Sequence, residues 1–431
     1  MASVLARWLY TLALRLLTPF YLLRLWRRGA AEPVYRKRLG ERLGYYELPP
    51  RRGKGGVVWV HAVSYGETRA AGPLITALRK ELPGMRLLLT CSTATGVQAG
   101  LDILEHEDDQ TWLPYDTPGA VTRFLKRYRP AVGVIMETEV WPNLMHLARA
   151  RHLPMVLANA RLSIKSQRQG RRFGILLRPA IAAFERVLAQ TARDAQRLKE
   201  SGARNVEVCG NTKFDIVADP DLLVRGHTWR EMIDRPVVLM AVSREGEEPS
   251  LLDAWRELPA PRPLLVIVPR HPQRFDEVTA LCEEAGFVVL RRSRWQDEPP
   301  IQAARADIWI GDSMGEMPMY YALADVALLG GSFAPLGGQN LIEAAASGCP
   351  LLMGQHTFNF EEAAQLAIDA GAAARMKDMP SAVRRAVALV DDPRREDWVE
   401  QAFAFASAHR GATERMAQRI AGLVTGLDSV R

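Results

Sequence analysis

Apolar and polar positions along this chain form one continuous apolar segment followed by two series of short buried runs, each run separated from the next by a helical period. The opening segment, Val4 to Trp26, has Trp8, Tyr10, Tyr21 and Trp26 toward its ends and is interrupted by Arg15, Pro19 and Arg24. A spanning helix needs about 20 mostly apolar residues and a mid-span arginine is costly, so the segment reads as either a tilted span or an interfacial helix. No small-residue cleavage site follows it, so it is not a cleaved signal. In the first series the apolar runs are Val57 to Val63, Arg86 to Thr90, Ala131 to Met136, Met155 to Ala158, Arg186 to Gln190 and Val206 to Val208. In the second they are Val237 to Val242, Leu264 to Val268, Phe287 to Leu290, Ile308 to Ile310, Val326 to Leu329 and Leu351 to Met353. Strands alternating with helices predict an α/β chain of two doubly wound parallel sheets. The turn-rich Pro49 to Gly56 precedes the first series, and Asp219-Pro220 breaks the chain between the two.

Ligands of such sheets sit at the carboxyl ends of the strands, so chemistry is sought there. The first strand runs into His61-Ala-Val-Ser64-Tyr65-Gly66-Glu67, ahead of a helical pattern from Pro73 to Leu82. Glu67 reads equally as a general base held near a helix N-terminus or as a partner of the helix dipole. Cys91-Ser-Thr93-Ala-Thr95-Gly96 reads as an N-cap before a helix from Val97. Glu137-Thr138-Glu139-Val-Trp141-Pro142-Asn143 places two carboxylates and a tryptophan at one strand end, with Asn143 expected to cap the next helix. From Asn159 to Arg178 there are six basic residues and no acidic one, which fits a solvated face or a surface for an anionic lipid. Glu105 to Asp109 lacks metal-ligand spacing and reads as a solvated acidic loop.

In the second series Leu264 to Pro269 leads to Arg270-His271-Pro272, which sets a permanent cation beside an imidazole. Ile308 to Ile310 leads to Gly311-Asp312-Ser313-Met-Gly315-Glu316. The next strand leads to Gly330 to Pro350, a glycine-rich loop with a helix expected from Gln339 or Asn340. Glycines let a phosphate approach backbone amides, and a helix N-terminus adds partial positive charge. Asn340 and Glu343 have capping-box spacing, and Glu343 could equally accept hydrogen bonds from ribose hydroxyls. Gly348 reads as the helix C-cap.

Composition narrows the class. The chain has 431 residues, 48% of them hydrophobic, which suits two or three globular domains and excludes disorder. A net charge of +7 favours anionic partners without choosing among nucleic acid, acidic lipid and phosphorylated small molecules. The flank of the apolar segment carries Arg24, Arg27, Arg28, Arg36, Lys37, Arg38 and Arg42 against Glu32 and Glu41, which sets the remainder on the cytoplasmic face of a membrane. Four scattered cysteines, Cys91, Cys209, Cys282 and Cys349, read as reduced buried thiols.

In their order, HAVSYGE (His61 to Glu67), ETEVWPN (Glu137 to Asn143), NARLS (Asn159 to Ser163), GNTKFD (Gly210 to Asp215), PRHP (Pro269 to Pro272), GDSMGE (Gly311 to Glu316), GGSFAPLGGQNLIEAA (Gly330 to Ala345) and GQHTFNF (Gly354 to Phe360) resemble the lipopolysaccharide 3-deoxy-D-manno-octulosonic acid (Kdo) transferases. YRKRLGER at Tyr35 to Arg42 shares the likeness, and Tyr65 departs from it where a small aliphatic residue is expected. The resemblance implies a GT-B architecture, two Rossmann-like domains facing a cleft, with an N-terminal membrane-anchor helix. Residues 1–30 would be the anchor, 31–215 the acceptor-binding domain and 216–431 the donor-binding domain, its last helices packing back on the first. CMP-Kdo would donate Kdo to a lipid A precursor, with inversion, no metal and no other cofactor, at the cytoplasmic face of the bacterial inner membrane and without nucleic acid. Glu67 would be the catalytic base. Arg270, His271, Gly311, Gly315, Glu316, Gly331, Ser332, Gly337, Gly338, Asn340 and Glu343 would hold the donor, while Ser64, Gly66, Glu137, Glu139, Arg161, Ser163 and Lys213 would line the acceptor side. The alternatives are another membrane-associated GT-B enzyme using a UDP-sugar, or a membrane-bound nucleotide-binding protein without chemistry.

Overall fold

The computed structural model describes residues 2–30, 32–47, 55–215 and 218–428. The turn expected over Pro49 to Gly56 lies outside the described residues up to position 54. The chain divides into two compact units, Met1–Asp215 with Arg410–Arg431, and Ile216–His409.

Seven strands build the first unit: β1 (Val57–His61), β2 (Arg86–Cys91), β3 (Asp109–Trp112), β4 (Val132–Met136), β5 (Met155–Ala160), β6 (Arg186–Ala189) and β7 (Val206–Val208). All pair in parallel, in the order β3-β2-β1-β4-β5-β6-β7. Their continuous apolar runs reflect burial on both faces, because helices cover each side of a parallel sheet. One face packs Val58, Val60, Leu74 and Leu78 with Met416 and Ile420 of the last helix, and the other packs Trp59, Phe124, Ile135 and Leu157. The chain order reverses between β1 and β4, so a crevice opens where their carboxyl ends diverge. β3 escaped the periodicity reading because it starts on the polar Asp109 and Gln110 at a sheet edge.

The helices of this unit include α1 (Ala2–Arg28), α2 (Tyr65–Glu81), α3 (Ala94–Leu101), α4 (Pro118–Tyr128), α5 (Pro142–Arg149), α6 (Ile164–Arg172) and α7 (Gly174–Ile181). α1 is continuous through Pro19, and among the described residues no helix is long and apolar enough to cross a membrane. Its one buried residue is Thr11, whose hydroxyl donates to Arg7 O and accepts from Asn143 Nδ2 at 3.0 Å. Trp8, Phe20 and Trp26 are exposed. The basic flank is partly structural. Arg42 is buried, stacks on Trp112 at 4.0 Å and donates to Ser92 O, while Arg36 lies over Trp26.

Three local expectations change. α3 opens at Ala94, with Thr93 accepting from Gly96 N, three residues earlier than the apolar pattern suggests. Asn143 does not cap α5. The buried Asp116 does so from a loop, accepting Asn143 N at 2.9 Å and Leu144 N at 2.7 Å, because Asn143 already lies inside the helix behind Pro142. Asp108 of the acidic run is buried rather than solvated, paired with Arg79 and accepting Leu87 N and Glu105 N, both at 2.8 Å.

The second unit contains β8 (Val237–Ser243), β9 (Leu264–Pro269), β10 (Val289–Arg291), β11 (Ile308–Ile310), β12 (Val326–Leu329), β13 (Leu351–Met353) and β14 (Ala373–Arg375). This sheet is also parallel, ordered β10-β11-β9-β8-β12-β13-β14, with its reversal between β8 and β12. Its core joins Val238, Ile267, Ile310 and Leu328 to Leu251, Trp255, Val383 and Leu389. All four cysteines are free and buried.

Candidate functional site

In the first unit the loops at the reversal carry the carboxylates. α2 starts at Tyr65, eight residues ahead of the pattern read from Pro73, so Glu67 sits in its first turn behind the N-cap Ser64. Its Oε2 accepts Val63 N at 2.9 Å, and Ser64 Oγ lies 3.5 Å from Oε1. Burial raises the proton affinity of Glu67 above the ordinary carboxylate range, the Val63 amide opposes that rise, and the charges of Glu137 and Glu139 add to it. A carboxyl with a raised proton affinity is a better base, as long as it still ionises at working pH.

Glu137 sits at a positive φ of 61°, a strained position for a residue with a side chain, between Glu137 N donating to Ala158 O and Glu137 O accepting from Arg161 N. Its carboxylate lies 3.9 Å from Arg161. Glu139 Oε2 takes His61 Nε2 at 3.0 Å and Trp141 Nε1 at 2.9 Å. Lys213, in the short helix Thr212–Asp215, has its proton affinity lowered by burial and supported by Glu137 and Glu67. Glu67, Glu137, Glu139, Arg161 and Lys213 thus form one electrostatic cluster, with Gly66 beside it in the first turn of α2. Ser163 serves locally as the N-cap of α6, its hydroxyl accepting from Ser166 N.

In the second unit the glycine loop is held by a residue that the sequence reading passed over. Glu247, in the first turn of the helix Glu247–Arg256, is buried, and its carboxylate accepts four backbone amides: Arg244 at 2.9 Å, Gly331 at 2.8 Å, Phe333 at 3.1 Å and Ala334 at 3.3 Å. The amides of Gly331, Phe333 and Ala334 are therefore committed to a carboxylate of the protein itself. The signal was available, since Ser243-Arg-Glu-Gly-Glu247 follows a strand as the other polar loops do. In the sheet this β8 loop stands between the loops after β9 and β12, so it joins the three polar loops read from the sequence of this unit as a fourth.

Ser332 is fully buried, donating to Leu329 O and accepting Gly354 N at 2.8 Å. Gly331, Gly337 and Gly338 take left-handed φ values of 70°, 91° and 74°, with Gly338 N on Gly331 O at 2.8 Å. The GQHTFNF segment braces this loop through His356 N on Ser332 O and Asn359 N on Gly337 O. The helix after it, Ile342–Ala346, opens later than expected and without the capping box. Asn340 Oδ1 instead accepts Ile342 N at 3.2 Å, because the paired glycines keep the preceding backbone out of helical geometry. Glu343 lies half-buried in its first turn, and Gly348 takes a φ of 70° just past its end.

Arg270 follows β9 with its side chain exposed and its amide on Ser243 O, and His271 is half-buried beside it. Gly311 N pairs with Ile267 O, and Gly315 turns at a φ of 81°. Glu316 is held by Arg292 at 2.9 Å and Arg225 at 3.6 Å, so it ties the end of this loop to those two arginines.

Residues 37–216 match the family model described as 3-Deoxy-D-manno-octulosonic-acid transferase (kdotransferase). The 3-deoxy-D-manno-octulosonic acid transferase of Bordetella pertussis is 47% identical over 431 residues, covering 95% of this chain and 97% of the relative. That of Haemophilus influenzae is 32% identical over 421 residues, with the same coverage of both chains. Among solved structures, a glycosyltransferase from Rickettsia africae aligns with a TM-score of 0.57 over 86% of this chain and 99% of its own, at 12% identity, which is a likeness of fold alone.

Proposed function

We propose how the reaction is carried out from one premise: the chain belongs to the Kdo transferase family, and is a glycosyltransferase that transfers Kdo in lipopolysaccharide biosynthesis. The donor is CMP-Kdo and the acceptor a lipid A precursor of the lipid IVA type. Glu67 takes the proton from an acceptor hydroxyl as that oxygen attacks the anomeric carbon of Kdo from the face opposite CMP, so the configuration inverts. The observation that carries this assignment is the position of Glu67 at the sheet reversal, with its proton affinity raised by burial and by two neighbouring carboxylates.

Departure of CMP calls for positive charge and oriented donors. Arg270 supplies the cation, the turns at Gly315, Gly337 and Gly338 bring backbone close to the nucleotide, and Glu343 accepts from ribose hydroxyls. No metal is needed in this scheme. Lys213 and Arg161 face the anionic groups of the acceptor.

The protein works at the cytoplasmic face of the inner membrane, with α1 lying in the interface. Support comes from Trp8, Leu16, Phe20 and Trp26 exposed on α1, and from Ile164 on α6, Ile175 on α7 and Phe173 between them, exposed among Lys165, Arg168 and Arg172. Apolar side chains framed by cations suit an anionic lipid surface.

The test is mass spectrometry of the product formed from CMP-Kdo and a tetra-acyl lipid A precursor. Growth of the precursor by one or more Kdo masses is expected. A folded, CMP-binding protein that yields no Kdo-bearing lipid overturns the reading.

A further inference from the structure

We propose that His61 is a positioning residue for the transfer reaction: through a proton on Nε2 it locks Glu139 as a second carboxylate beside Glu67, with Oε1 presented to an acceptor hydroxyl. The inference rests on the reading of Glu67 as the base.

The ring lies in a chain of hydrogen bonds through β1 and β2 that begins at an atom able only to donate. Trp59 Nε1 donates to Thr90 Oγ1 at 2.8 Å. The hydroxyl proton of Thr90 then has two destinations, Val60 O at 3.5 Å or His61 Nδ1 at 2.9 Å, and the shorter contact is the better hydrogen bond. Thr90 O, which accepts Ala62 N at 3.0 Å, also lies 3.0 Å from Nδ1 and has a second lone pair for a proton carried there. If Nδ1 carried the proton of a neutral ring, the bare Nε2 would face the Glu139 carboxylate at 3.0 Å, acceptor against acceptor. A proton on Nε2 removes that clash and lets His61 donate to Glu139, whether or not Nδ1 is also protonated.

His61 is 1% exposed, so its ring cannot swing away to water. Trp141 Nε1 donates to the same Oε2 of Glu139 from the other side. Two donors on one oxygen hold the carboxylate in place. Oε1 takes no hydrogen bond from the described residues, and the Glu139 side chain is 26% exposed, so this oxygen is available to a ligand. The Glu139 charge is also felt at Glu67, whose proton affinity it helps to raise.

The experiment has two arms on the full-length enzyme. Selective ¹⁵N-histidine labelling of the unmodified protein at pH 8 should show His61 with Nε2 protonated. A ring protonated on Nδ1 alone overturns the proposal without reference to any reaction. In kinetics, His61→Gln can still donate to Glu139 and should leave KM for the lipid acceptor within about threefold. His61→Phe cannot donate and should raise that KM roughly tenfold, the scale of a lost hydrogen bond to a charged group. KM for CMP-Kdo should stay level in both. Equal acceptor KM for His61→Gln and the wild type, together with no rise in His61→Phe, overturns the proposal, as does a matching rise for both substrates. If the wild type makes no Kdo product at all, the functional reading fails while the tautomer result still stands or falls by itself.

Discussion

Glu247 Oε2 accepts the backbone amide of Gly331 at 2.8 Å, which joins the loop after β8 to the glycine loop after β12 where the second sheet reverses. Both oxygens of this carboxylate face amide donors, so Glu247→Gln must turn its NH₂ toward at least one of them. An orphaned buried donor costs about 1–3 kcal/mol. The variant should bind CMP about tenfold or more weakly by calorimetry while keeping the far-UV circular dichroism of the wild type. Unchanged affinity would mean that this loop can be held without its central carboxylate.

Glu67→Gln should reduce kcat by roughly 100-fold or more, the scale of general-base loss, and leave CMP affinity unchanged. The wild-type pH profile carries a matching signature. Burial, reinforced by Glu137 and Glu139, holds the Glu67 carboxyl above the ordinary range. The base acts when ionised, so the acid limb of kcat/KM should fall at a higher pH than an unperturbed glutamate would give. A limb in the ordinary glutamate range would remove the support that burial gives to this assignment.

Asp116 makes stability depend on pH. Burial pushes its carboxyl up to about 7 from 3.8, outweighing the bonds from Asn143 N, Leu144 N and Tyr10. The folded state thus keeps a proton that the unfolded chain releases between those values. The stabilisation is complete below the ordinary carboxylate range and lost as pH rises through about 7. Thermal melting should show the wild type losing more stability than Asp116→Asn between pH 5.5 and 8, and parallel curves for the two would refute it.

Trp8 and Phe20 are 66% and 71% exposed on α1. Replacing both with serine should leave the melting midpoint unchanged, since neither supports the core. If they insert into lipid, where burying a large apolar side chain is worth about 1.5–3 kcal/mol, co-sedimentation with anionic vesicles should drop at least tenfold. Retained binding would assign the attachment to other surfaces.

Much of the fold was legible because parallel strands buried on both faces are nearly uniform in apolar character, as β4 and β9 illustrate. β3 and β14 were missed because a polar start, or a length of three residues, leaves little periodicity to read. Helix starts were misplaced where the cap or turn that sets them lies outside the apolar pattern. Asp116 caps α5 from a separate loop, and the glycines before Ile342 delay a helix that composition places earlier. In the candidate site, motifs located Glu67, Glu137 and Glu139, yet the roles of His61 and Glu247 depend on partners 78 and 84 residues away, a pairing that only folding creates.

The return of the last helix, Ala412–Asp428, to the first unit also orders events during synthesis. Met416 and Ile420 complete the core beside β1 and β2, and Asp215 seats the returning chain by accepting Gly411 N and Thr413 N, both at 2.6 Å. Domains generally fold as units while the chain emerges from the ribosome. Here the second unit has its full sequence first, and the unit begun earlier waits with part of its apolar surface uncovered. On a nascent chain, that exposed face is a natural point of attention for chaperones.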